Sequence, residues 1–87
     1  MPAREVIMDL DMPALLRRLQ QARKAAGLSQ RDVAGAAGLH PVHYNALECG
    51  KGDGMRADTL LKLCLVLGVS ADWLLGLPRD WWGPQPP

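Results

Sequence analysis

The 87-residue chain contains no phenylalanine and a single tyrosine. Its core must therefore be built from leucine, valine, alanine and methionine, with three tryptophans and Tyr44 as the only large rings. No apolar run approaches the roughly 18 residues that a bilayer-spanning helix needs. Met1-Pro2-Ala3-Arg4-Glu5 carries no secretory apolar stretch. Cytoplasm is the expected compartment, without membrane contact. Two cysteines, Cys49 and Cys64, fit no metal or redox spacing, and both read as structural. A nucleophile–base set and paired carboxylates are missing too, and the glycines at 50, 52 and 54 follow no strand that would make them a phosphate cradle. An enzyme is not expected. Neither is a cofactor, and no small-molecule ligand is evident.

Charge of one sign is also scarce, the net being +1, but it is unevenly spread. Residues 13–62 hold eight basic side chains (Arg17, Arg18, Arg23, Lys24, Arg31, Lys51, Arg56, Lys62) against four acids (Asp32, Glu48, Asp53, Asp58). The segments on either side are net acidic. A weakly basic centre suits a polyanion partner, although a solvated charged face has the same composition.

What is present is helical periodicity with clear punctuation. Pro13 suits a first helical turn with Asp11 or Met12 as its cap. Leu15, Leu16, Leu19 and Ala22 then make one apolar face, ending near Gly27. Ser29-Gln30-Arg31-Asp32 reads as a capping box, opening a helix with Val33, Ala34 and Ala37 inward and a stop at Gly38. A third helix runs from His40 to Cys49, with Pro41 in its first turn and Tyr44 and Leu47 buried. After the Gly-rich connection, Thr59 to Leu67 forms the most apolar helix, with Leu60, Leu63, Cys64 and Leu67 in one stripe and Leu61 and Leu65 beside it. Ser70 caps a last short helix, Ala71 to Leu75. The expected architecture is all-α: a five-helix bundle over residues 13–76. A short arm (1–12) precedes it, with Val6-Ile7-Met8 a possible edge strand. A Pro- and Trp-rich tail (77–87) follows.

The residues Leu28-Ser29-Gln30, Val33-Ala34, Ala37-Gly38-Leu39, Tyr44, Leu47-Glu48 and Gly50-Lys51, at their spacing, resemble the helix-turn-helix of the lambdoid repressor and Cro (XRE-type) family. The stretch "LLKLCLVLGVSADWLLG" resembles that family's fourth and fifth helices. The resemblance covers residues 14 to 76. It implies a sequence-specific double-stranded DNA-binding regulator, a repressor of its own or a neighbouring promoter, acting as a homodimer on a (pseudo)palindromic operator. It also implies a structural ion pair between Arg23 and Glu48. Gln30 and Arg31 would hold phosphate at the start of the second helix. Lys51 and Gly52 would hold it after the third, with Arg56 a further phosphate or minor-groove candidate.

The positions that would face base edges are His40, Pro41, Val42, His43, Asn45 and Ala46. They depart from the family's polar start. Pro41 donates nothing, Val42 and Ala46 can only pack on thymine methyls, and Asn45 suits adenine. His40 has a second reading as a helix cap, and His43 as a solvated side chain. His40 and His43 lack a third metal ligand nearby. Family members pair through the fifth helix, which here means Trp73, Leu74, Leu75 and Leu77, with Trp81 and Trp82 extending that surface or folding back. The alternative function is a protein-binding adaptor or antitoxin-type module that keeps the fold without reading sequence.

Overall fold

A computed structural model describes residues 9–52 and 54–78, and all regular structure among them is helical. The helices are α1 (Met12–Ala25), α2 (Gln30–Ala37), α3 (Pro41–Glu48), α4 (Ala57–Leu67) and α5 (Ala71–Leu75). Val6-Ile7-Met8 and the tail's Trp81 and Trp82 lie outside the described residues.

Local chemistry sets most of the boundaries. Asp11 caps α1 by accepting the Ala14 N–H at 3.0 Å, with Pro13 in the first turn. Ser29 and Asp32 form the reciprocal capping box of α2, at 3.0 Å in each direction. The Ser29 backbone N–H holds the Asp32 carboxyl below the usual aspartate range. Gly38 closes α2 at φ +70°, so the Leu39 N–H can reach back to the Ala34 carbonyl at 2.8 Å. Ser70 caps α5 through the Trp73 N–H. His40 and Cys49, expected within the third helix, are its two caps, and α4 departs further from expectation, starting at Ala57 rather than Thr59. Its N-cap, Arg56, makes no side-chain cap bond. The gain comes instead from Asp58, which sits in the first turn where the helix dipole favours a carboxylate.

The helices close around one core. Leu15, Leu19, Val33, Ala34, Tyr44, Leu63 and Leu74 have essentially no exposed surface. Each fully buried Leu or Val contributes roughly 1.5–3 kcal/mol relative to an exposed one. Ala34 is sealed where α2 packs against α3 and α4, so a larger side chain would push those helices apart. Leu28, Leu39, Leu47, Leu60 and Leu67 close the margins. Arg18 on α1 donates to the Leu74 carbonyl at the end of α5.

Candidate nucleic-acid interface

The angle of α3 is set from beneath by an ion pair. Arg23, late in α1, meets Glu48, the last residue of α3: Nη2 lies 2.9 Å from Oε1 and Nε 3.0 Å from Oε2. Their side chains are 12% and 2% exposed. The remaining guanidinium edge donates to the Leu28 carbonyl, and Gln20 donates to the Glu48 carbonyl. One side chain on α1 thus ties together the entry to α2 and the exit of α3. Burial alone would raise the Glu48 carboxyl, but hydrogen bonds from Arg23 and Gln30 outweigh it and leave it below the usual glutamate value. The hydrogen bond to Glu48 in turn raises Arg23 above the usual arginine value.

Tyr44 fills the space between this pair and the core. Its hydroxyl lies beside Glu48 and Arg23 without completing a hydrogen bond to either. Burial, reinforced by the Glu48 charge, pushes the phenol well above its ordinary range. The ring packs and the hydroxyl is a passenger.

Gly50 lets the chain leave α3. It sits at φ +77°, and a Cβ there would stand 3.3 Å from the Leu16 side chain. The Gly50 and Lys51 N–H groups cap the end of α3 through the Leu47 and Ala46 carbonyls. Lys51 and Gly52 are then exposed beside that end.

With its inner side pinned, α3 presents Pro41, Val42, Asn45 and Ala46 on one outward face, as i, i+1, i+4 and i+5 spacing requires. Val42, in the first turn of α3, is a branched apolar residue 71% exposed. Pro41 and Asn45 are exposed, and Ala46 is half-buried at the edge of that face. His43 is exposed on the flank. His40 is the N-cap of α3: its Nδ1 accepts the Val42 N–H at 3.2 Å, so one ring nitrogen is already committed within the protein.

Gln30 and Asn45 are coupled, which sequence reasoning missed. Asn45 Nδ2 donates to Gln30 Oε1 at 2.7 Å, and Gln30 Nε2 donates to Glu48 Oε1 at 3.2 Å. Fifteen residues separate Gln30 from Asn45, so no local spacing rule exposes the contact. Arg31 is exposed at the start of α2. Arg56 is 85% exposed and pairs through Nε with Asp58 at 3.1 Å, which leaves most of its guanidinium in solvent. The Arg56 charge lowers the Asp58 carboxyl.

The surface expected for dimerisation needs one correction. Leu74 has no exposed surface and belongs to the protein's own core, where it cannot meet a partner. In a one-turn helix with three consecutive apolar residues, only packing against α1 and α4 decides which points inward. Trp73 is 40% exposed, while Leu75 and Leu77 are half-buried. On α4, Leu61 and Leu65 lie beside the buried stripe as expected, but are 59% and 74% exposed.

Among the described residues no helix is long and apolar enough to cross a membrane, and no group of three or more His, Cys, Asp or Glu could hold a metal ion.

The helix-turn-helix family profile matches residues 19–74. Among solved structures, the fold resembles SinR, a master regulator for biofilm formation, in complex with DNA: 30% identity, TM-score 0.66, covering 70% of this chain and 97% of that one. The restriction-modification controller protein C.AhdI from Aeromonas hydrophila is equally similar: 30% identity, TM-score 0.67, covering 74% and 96% respectively. A hypothetical transcription factor, NHTF from Neisseria, shares the fold at 24% identity and TM-score 0.68, with 91% of each chain covered. No curated protein sequence matches the chain.

Proposed function

Since the chain belongs to the helix-turn-helix family of DNA-binding transcriptional regulators, we propose that it is a repressor that binds a (pseudo)palindromic operator as a homodimer. The observation that carries this reading is the bare outward face of α3, held at a fixed angle by a buried ion pair and flanked by cationic groups. The α3 helix enters the major groove. Val42 and Ala46 pack on thymine methyls, Asn45 hydrogen-bonds a base edge, and Pro41 shapes the approach. His43, and His40 through its uncommitted ring nitrogen, meet the flanks of the groove.

Phosphates are held at two places. Gln30, Arg31 and the amide groups opening α2 take one, where helix-terminal N–H groups favour an anion. Lys51 and Gly52 take the other, with Arg56 reaching the adjacent backbone. One helix covers only a few base pairs, so specific binding uses two copies on half-sites ~34 Å apart or a multiple of it. Trp73, Leu75 and Leu77 supply the self-contact, and SinR and C.AhdI support the general class of regulator.

Leu61 and Leu65 favour a second reading, a protein-binding adaptor or antitoxin-type module, because this exposed i, i+4 apolar pair lies on α4 rather than at the proposed self-contact. Fluorescence anisotropy on duplex DNA across a salt series separates the two. A regulator loses affinity steeply with salt and retains a preferred site, with a log–log slope that falls by about one for each phosphate contact removed by Arg31→Ala or Lys51→Ala. An adaptor shows no site preference.

A further inference from the structure

The amide chain beneath the recognition face has a direction imposed by its buried end. An ionised carboxylate only accepts hydrogen bonds, whereas a glutamine or asparagine amide has one donor end and one acceptor end. Glu48 is held by Arg23 and can offer Gln30 only an acceptor, so Gln30 must turn its Nε2 inward, as it does at 3.2 Å. That leaves Gln30 Oε1 facing Asn45, which must answer with its own Nδ2, as it does at 2.7 Å. In a planar amide the nitrogen and oxygen diverge by about 120°. With Nδ2 committed toward α2, Oδ1 is turned away from α2, and it has no protein donor among the described side chains. A free surface asparagine would present either end. This one is polarised.

We propose that Glu48 is a positioning residue for sequence readout: acting through Gln30, it fixes Asn45 with its amide oxygen outward, so that Asn45 selects a base presenting an amino group in the major groove. Those bases are adenine, through N6, and cytosine, through N4; guanine and thymine present keto acceptors at the corresponding edge. The inference rests on the DNA-reading proposal above and narrows it to amino over keto at one base pair per half-site. The buried ion pair then has two tasks, holding the angle of α3 and setting the hydrogen-bonding polarity of its exposed face.

The test selects duplexes from a random pool and then measures competitive binding of the wild type, Asn45→Ala, Glu48→Gln and Gln30→Met to the four variants of each base pair. The base pair facing Asn45 is the one whose preference Asn45→Ala removes. The wild type should favour the amino base there by roughly 2- to 12-fold, the discrimination a single hydrogen bond supports. Glu48→Gln, whose neutral amide can face Gln30 by either end, should reduce that ratio several-fold while preferences assigned to Val42 persist. Gln30→Met removes the relay but keeps the direct hydrogen bonds between Arg23 and Glu48, and should do the same, which covers the case in which Glu48→Gln does not fold. An NMR readout needs no DNA: the Asn45 side-chain amide should exchange slowly in the wild type and fast in Gln30→Met. The proposal is overturned by a keto preference at that pair, by an unchanged ratio in folded Glu48→Gln and Gln30→Met, or by a fast-exchanging wild-type amide. If Asn45→Ala changes no preference while Val42→Ala does, the relay is wrong and the DNA-reading proposal stands. A wild type that selects no sequence removes both.

Discussion

Truncating Glu48 to alanine is the change with the largest expected effect on the fold. Its carboxylate, 2% exposed, accepts from Arg23 Nε at 3.0 Å, Arg23 Nη2 at 2.9 Å and Gln30 Nε2 at 3.2 Å. After truncation the guanidinium, 12% exposed, keeps only the Leu28 carbonyl. Leaving a buried charge without its counter-ion costs about 3–5 kcal/mol. Domains are stable by roughly 5–15 kcal/mol in total, and one this small belongs near the lower end. Glu48→Ala should therefore lower the melting temperature by roughly 12–40 °C, at 4–8 °C per kcal/mol for a domain of this size. Replacing both partners, Arg23→Met with Glu48→Leu, removes the stranded charge and should recover most of the loss. Circular-dichroism melts and urea titrations at neutral pH on both variants measure the cycle. A single-variant loss below about 1 kcal/mol, the range of an exposed pair, would refute the claim that this pair fastens α3 to α1. So would a double variant no better than the single.

Other consequences are smaller but equally specific. Tyr44→Phe should be neutral or stabilising by up to about 1 kcal/mol, because the hydroxyl completes no hydrogen bond; a loss above 1 kcal/mol in urea unfolding would mean that the hydroxyl is bonded to Glu48. Gly38→Ala should cost about 1–2 kcal/mol for its left-handed backbone alone. Gly50→Ala should cost more, since its Cβ also presses on Leu16 at 3.3 Å, and a reversed order in urea midpoints would contradict that contact. Stability should also depend on pH through Glu48. Its folded value is depressed, so the contribution is complete above the usual glutamate value of 4.5 and is lost as pH falls through the folded value. Glu48→Gln should flatten the acid limb of the stability curve there, and an acid limb identical to wild type would assign it to other carboxylates.

The parts of the fold that were legible in the sequence are those written in short-range chemistry. The cap of α1, read as Asp11 or Met12 and found at Asp11, the Ser29–Asp32 box and the glycine after α2 each act within three or four residues, so spacing brings them into view. Arg23 and Glu48 were legible only through the family resemblance, since nothing local joins residues 25 apart. Leu74 was misplaced because a one-turn apolar helix has no periodicity to reveal its inner side. Gln30 was read for a single task, phosphate binding, because its partners Asn45 and Glu48 lie on another helix. His40 had two readings, and the structure supplies the capping one through the Val42 N–H.

The outward face of α3 is the centre of the account, and parallel selection from a random duplex pool tests it most directly. The wild type should return a two-fold symmetric motif, and Val42→Ala should return the same motif with information lost at one or two base pairs in each half. A motif identical in both proteins, or none in either, would contradict the assignment of α3 as the reading helix.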